Sequence, residues 1–222
     1  MKSKKILFSL AFAAIFFMGA CKKNLDTSSF KYKLTTASRN NVVARVASGN
    51  VLWTSGYASA NQIKFEAKKA DNSEVEFKST VSQRIDLFTT LAPVIGNILL
   101  PPGTYSEVEF KAELAASGSD AALELNGTFT SGITTTPVTF TAGSLLEIKT
   151  EQNSVVIDGG SGYSALTTLN LSTLTQGVTE TMLNSATKTN GKIIISASSN
   201  TNLYNIILAN LDSCDEVDFE HD

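Results

Sequence analysis

From Lys33 to Leu174 the apolar residues recur at every second position, the period of strands with one face in a core and the other in water. The clearest stretch sets Val108, Phe110, Ala112 and Leu114 against Glu107, Glu109, Lys111 and Glu113. The same alternation sets Ile63, Phe65 and Ala67 against Lys64, Glu66 and Lys68, and Val75 and Phe77 against Glu74, Glu76 and Lys78. Shorter repeats at Ile85 and Leu87, Leu123 and Leu125, Val138 and Phe140, Leu146 and Ile148, and Leu169 and Leu171 predict further strands. Asp71-Asn72, Pro101-Pro102-Gly103, Asn126-Gly127 and the run from Asp158 to Gly162 supply turn chemistry between them. Many short strands in succession, without helical periodicity, predict a mainly β protein, an antiparallel β-sandwich over residues 33–174.

Beyond Leu174 the period lengthens. Val178, Met182, Leu183 and Ala186 predict a short helix over Val178 to Thr187, with Gly177 and Glu180 at its start and Asn190-Gly191 after it. Ile193, Ile194 and Ile195 in succession suit a strand buried on both faces. Asn200 then caps a predicted helix bearing Leu203, Ile206, Ile207 and Leu211. Residues 175–211 thus read as a small C-terminal helix-strand-helix appendage on the same core. The run from Asp212 to Asp222, with six acids, predicts a solvated, disordered tail over 212–222. At the other end the polar, aperiodic stretch after residue 20 predicts a flexible tether over 21–32.

Residues 1–20 have the layout of an export signal: Lys2, Lys4 and Lys5, an apolar run from Ile6 to Met18, then Gly19 and Ala20 before Cys21. The run is shorter than the roughly 20 residues a spanning helix requires. Met18-Gly19-Ala20-Cys21 resembles the bacterial lipobox, with Met where Leu is usual, which implies cleavage before Cys21 and acylation of its thiol. Several acyl chains hold a protein at a membrane stably where a single one does so only marginally. Removing residues 1–20 takes away three lysines and moves the formal net charge from −3 to −6. An acidic exported chain offers no electrostatic attraction to nucleic acid. With Cys21 acylated, Cys214 has no intrachain partner, so apolar burial must hold the fold without disulfides.

Taken together, the Gly49–Lys69 stretch with Ser55-Gly56, Arg84-Ile85-Asp86-Leu87, the Leu100-Pro101-Pro102-Gly103-Thr104-Tyr105 turn leading into Val108-Glu109-Phe110, Thr136-Pro137-Val138, Ile193-Ile194-Ile195-Ser196 and Asn202-Leu203-Tyr204 resemble a family of Bacteroidota lipoproteins of unknown function. The resemblance covers most of the exported chain. It implies a β-sandwich lipoprotein of the outer membrane and brings no catalytic residues with it. Members displayed on the cell surface often carry several acids directly after the lipidated cysteine, whereas this chain has Asp26 alone.

The chain's chemistry points away from catalysis. His221 is the sole histidine and sits in an acidic terminus, so neither a triad nor a zinc site of the His-Glu-x-x-His kind is available. Glu107, Glu109 and Glu113 alternate with core residues and are interleaved with Lys111, as charges on a wet strand face are. Gly159, Gly160 and Gly162 lack the Lys-Ser/Thr and helix of a phosphate loop, and Asp158 opens no calcium loop. Acidic neighbours disfavour a Cys214 thiolate. Trp53, Tyr57, Tyr105 and Tyr163 are by default core or edge-packing residues, and are candidate ligand-binding aromatics if an exposed ring stacks on a sugar face. The expectation is a non-enzymatic envelope protein of binding, adhesion or assembly type, with no cofactor and no metal, anchored to membrane through Cys21. A carbohydrate-binding accessory lipoprotein of a glycan-uptake system and a pilus-type subunit are the alternatives.

Overall fold

The structure, a computed structural model, describes residues 26–36, 42–46, 49–213 and 215–221. The residues read as an export signal, Cys21 and Cys214 lie outside the described residues. In chain order the strands are β1 (Ser28–Thr36), β2 (Val42–Val46), β3 (Gly49–Lys69), β4 (Glu74–Asp86), β5 (Val94–Leu100), β6 (Gly103–Leu114), β7 (Leu123–Ser131), β8 (Thr134–Ala142), β9 (Leu146–Ile157) and β10 (Gly162–Leu169). Then come α1 (Leu171–Leu174), α2 (Glu180–Asn184), β11 (Lys188–Thr189), β12 (Lys192–Ser196), α3 (Thr201–Ala209), a 3-10 turn (Leu211–Ser213) and β13 (Asp215–His221).

Two sheets pack face to face, as expected for a sandwich, with a small helical part near the C-terminus. One sheet runs β13-β10-β1-β5. The other runs β11-β12-β8-β7-β3-β6-β9, with β2 and β4 also on β3. The long strand β3 organises the larger sheet. Its first half pairs with β2 and β7, its second half with β4 and β6, and register shifts at Trp53/Ser55, Ala60/Gln62 and Glu66/Lys68 let it bend between them. The alternation read from the sequence sends Ile63, Phe65, Val108, Phe110, Ala112 and Leu114 inward, all essentially fully buried. There they meet Phe30 and Tyr32 of the smaller sheet, and the rings of Phe30 and Phe110 stack 5.2 Å apart.

Several expectations are corrected. The sandwich begins at Ser28, within the stretch read as tether: Phe30, Tyr32 and Leu34 are fully buried at the period of a strand. The acidic terminus is not disordered over 215–221. It forms the edge strand β13 on β10, because Val217 and Phe219 alternate with the acids and Phe219 stacks on Phe30, Phe110 and Tyr163. Pairing is not uniformly antiparallel, since β1 runs parallel to β10 and β12 parallel to β8.

The turn expected at Asn126-Gly127 lies inside β7, where Gly127 admits the close approach of Leu52 and Trp53 from the shifted β3 backbone. Leu171 opens α1 rather than extending a strand. The side chain of Asn170 accepts from the backbone N–H groups of Ser172 and Thr173 and turns the chain there. The helix expected over Val178 to Thr187 shrinks to α2, started two residues late, at Glu180, by the Thr179 cap. Asn190 and Gly191, both at positive φ, turn the β11–β12 hairpin. Ile194 is only partly buried between the buried Ile193 and Ile195. Asn200 precedes α3 in the left-handed region, yet its side chain caps nothing: it binds Thr187 through both backbone groups and donates to the Ile194 carbonyl.

Candidate functional site

The four aromatic candidates do not converge on a surface. Trp53 is 0% exposed, Tyr105 and Tyr163 are buried, and Tyr57 retains 8%. Tyr105 donates to the Pro101 carbonyl at 2.7 Å, locking the Pro-Pro-Gly turn, and burial pushes its phenol pKa up. Tyr163 accepts from the Asp158 amide at 2.7 Å and packs edge-on against His221 at 4.8 Å. Tyr57 is roofed by the Arg84 guanidinium 3.8 Å above its ring, while its hydroxyl accepts from the Ala121 amide at 3.1 Å. A sugar-stacking platform built from these rings is therefore corrected: ring faces that fill a core or sit under a cation are closed to a ligand. His221 serves as a packing partner at the sheet edge.

The residues read as an ordinary wet face prove to be organised. On the outer face of β4-β3-β6-β9 the register sets Lys78 opposite Lys64, Lys64 opposite Lys111, and Lys111 opposite Lys149. Two residues further along lies a second row, Glu76, Glu66, Glu109 and Glu151. On the other flank of the lysines lie Glu113 and Glu147, opposite each other on β6 and β9. Like charges thus form lines across four strands, and within these rows opposite charges meet along strands or diagonally; beyond them Lys68 stands directly opposite Glu74.

The ion pairs follow that geometry. Lys111 reaches Glu66 at 2.7 Å and Glu109 at 3.3 Å, and Lys78 reaches Glu76 at 2.8 Å. Lys149 bridges Glu109 and Glu151, Lys64 holds Glu113, and Lys68 holds Glu107. The hydrogen bond from Lys64 to Glu113 raises the lysine's pKa. For Lys111 desolvation pulls downward most strongly, yet its hydrogen bond to Glu66 and the charges of Glu66, Glu147 and Glu76 together carry it above the ordinary value. Lys78 holds the Glu76 carboxyl below its usual range. Held by lysines, Glu66, Glu109 and Glu113 are set as ion-pair partners rather than as a spaced pair of free carboxyl groups.

At one end the rows border a groove of about 410 Å³ lined by Glu66, Lys68, Glu74, Glu76, Glu107 and Glu109 among others. Glu107 stands there at φ 47°, the bulged residue of β6 against β3. A second, polar hollow of about 240 Å³ lies under the Ala60/Gln62 irregularity, between Arg84 and Asp120. The alternation of the sequence exposes each charge, but which charges stand opposite one another depends on register, and the bulges that set it leave no mark in the hydrophobic pattern. No group of three or more His, Cys, Asp or Glu among the described residues is placed to hold a metal ion. No described helix is long and apolar enough to cross a membrane. Compared with protein-family models, curated proteins and solved structures, the chain matches none.

Proposed function

We propose that this chain is a cell-envelope protein, held to the outer membrane by acyl chains on Cys21, that works by binding and assembly rather than by catalysis. The observation that carries the binding reading is the pair of like-charge rows on the open sheet face. Opposite charges placed directly across strands stabilise a sheet by about 0.2–1 kcal/mol per pair, and like charges destabilise it. The same lysines and glutamates in alternation would satisfy the fold better. An arrangement that forgoes local stability on an accessible surface marks a place where function overrides folding, and a rigid ruled pattern of charge is suited to recognising a complementary one. The Met18-Gly19-Ala20-Cys21 sequence supports the anchor.

Both halves are open to test in cells. The wild-type protein is expected in the membrane fraction with fatty acid on its first residue, and Cys21→Ser in the soluble fraction; membrane retention of the serine variant rejects the anchor. Exchanging Lys64→Glu together with Glu66→Lys places opposite charges across β4, β3 and β6. The parent is expected to form formaldehyde adducts on intact cells, and this pair to abolish them while leaving the melting temperature no lower. Adducts unchanged by the exchange reject the binding role of the face.

A further inference from the structure

Strand β4 is hydrogen-bonded to β3 from Glu74 to Asp86, and among the described residues no strand is hydrogen-bonded to its other edge, although β5 of the smaller sheet packs close to β4, with Val81 lying against Gly96. A long edge without a hydrogen-bonded partner is a template for strand addition, and edges not meant for it are shortened, charged, bulged, broken with proline or covered. β4 is 13 residues long and contains no proline; its irregularity lies between Thr80 and Gln83, away from Phe77, and the charges flanking Phe77, Glu76 and Lys78, are of opposite sign. Its inward side chains Val75, Phe77 and Val81 are half-buried against the core, so a strip of apolar surface runs beneath the free edge. Its outward Glu76 and Lys78 stand in water with side chains 45% and 57% exposed.

We infer that β4 pairs antiparallel with β4 of a second copy of this chain, about a two-fold axis at Phe77. In that register Glu76 faces the partner's Lys78 and Lys78 faces the partner's Glu76, while Phe77 meets the partner's Phe77 and Val75 meets the partner's Ser79. Centring one residue earlier sets Glu76 against its own copy, and one residue later does the same to Lys78. The complementarity extends behind the edge. The row Lys78, Lys64, Lys111, Lys149 continues across the join as the partner's glutamate row, and the glutamate row continues as the partner's lysines. The two-fold operator turns two rows that repel along their own length into rows that attract across the seam. This inference rests on reading the charged face as a binding surface, and commits its edge to a second copy; it does not depend on the anchor.

The test uses the full-length chain, expressed and processed in cells, with Cys214→Ser as background. Phe77→Cys places two thiols across the axis, about 4.5–5.5 Å apart at Cα in an antiparallel pair, within reach of a disulfide. Oxidation of isolated envelopes is expected to give a reducible dimer band at least tenfold stronger than for Gln83→Cys on the same strand. Because Phe77 packs near Phe65, a second series leaves it in place and reads the mass of detergent-extracted protein. Glu76→Lys alone and Lys78→Glu alone are expected to convert dimer to monomer, and the double exchange to restore the dimer. A monomeric parent, equal cross-linking at 77 and 83, or a double exchange no better than the singles overturns the inference. Adducts to another protein without the 77–77 disulfide overturn the homotypic partner and keep the binding reading; a parent that forms neither adducts nor the disulfide ends both.

Discussion

Single side chains carry two of the sharper consequences. The Trp53 indole is buried, and its N–H has no hydrogen-bond partner among the described residues. An unpaired buried donor costs roughly 1–3 kcal/mol. Trp53→Phe therefore removes an unfavourable group along with some volume and is expected to stay within about 1 kcal/mol of wild type, whereas Trp53→Ala, which leaves a cavity, is expected to lose about 3–5 kcal/mol. Urea unfolding of the two variants separates the terms, and a phenylalanine variant as damaged as the alanine one would mean that the indole's N–H costs nothing. At Gly127 a Cβ would enter the Leu52 carbonyl and approach the Trp53 Cα at 2.9 Å, so Gly127→Ala is expected to destabilise by about 2 kcal/mol; at Gly143, with open space around it, the same change is expected to be neutral. The sequence offered core or edge packing as the default for Trp53 but not what it packs against, and took Gly127 for a turn. Both depend on how closely β3 and β7 approach, a distance set by a register shift that no local pattern encodes.

For strands, legibility followed periodicity. β3, β4 and β6 were readable because their apolar and charged positions alternate over many residues, whereas β1 and β13 were obscured by polar composition although Phe30, Tyr32, Leu34 and Phe219 keep the same period. Phe219 is the keystone of β13, and Phe219→Ala is expected to lower stability by about 2 kcal/mol, less than a fully buried phenylalanine because it is only partly covered. The charged strands predict a response to alkali. A lysine whose pKa is raised by folding binds its proton more tightly in the native state, so its contribution is complete below the unfolded value near 10.4 and is lost as pH climbs through the folded value. Lys64 and Lys111 are such groups, and the raised Tyr105 phenol acts in the same direction above about pH 10. Urea midpoints are expected to be level between pH 7 and 9 and to fall above pH 10, with a shallower fall in Lys64→Met and Lys111→Met. A midpoint unchanged up to pH 11 would contradict this assignment.

At the scale of the molecule, the mainly β sandwich with a small helical C-terminal part could be read from the chain, but its wiring could not. The smaller sheet gathers β1, β5, β10 and β13 from across the whole sequence and includes a parallel neighbour for β1. Nothing in the alternation of Phe30, Tyr32 and Leu34 says whether the adjoining strand runs up or down, because the inward side chains are the same either way. The charged face shows the same division: each lysine and glutamate was legible as solvent-facing, while their alignment into rows required the register of four strands at once.

The position of β1 has a mechanical corollary. It lies between β5 and β10, bonded on both edges, and the chain enters it from Asp26, whose carbonyl accepts from the Gly160 amide. A tug on that end directed along the strand cannot peel the sheet open one rung at a time; it must slide β1 past both neighbours and break the rungs on each side together. Loaded from its leading end, the domain resists as a lap joint does rather than as a zip.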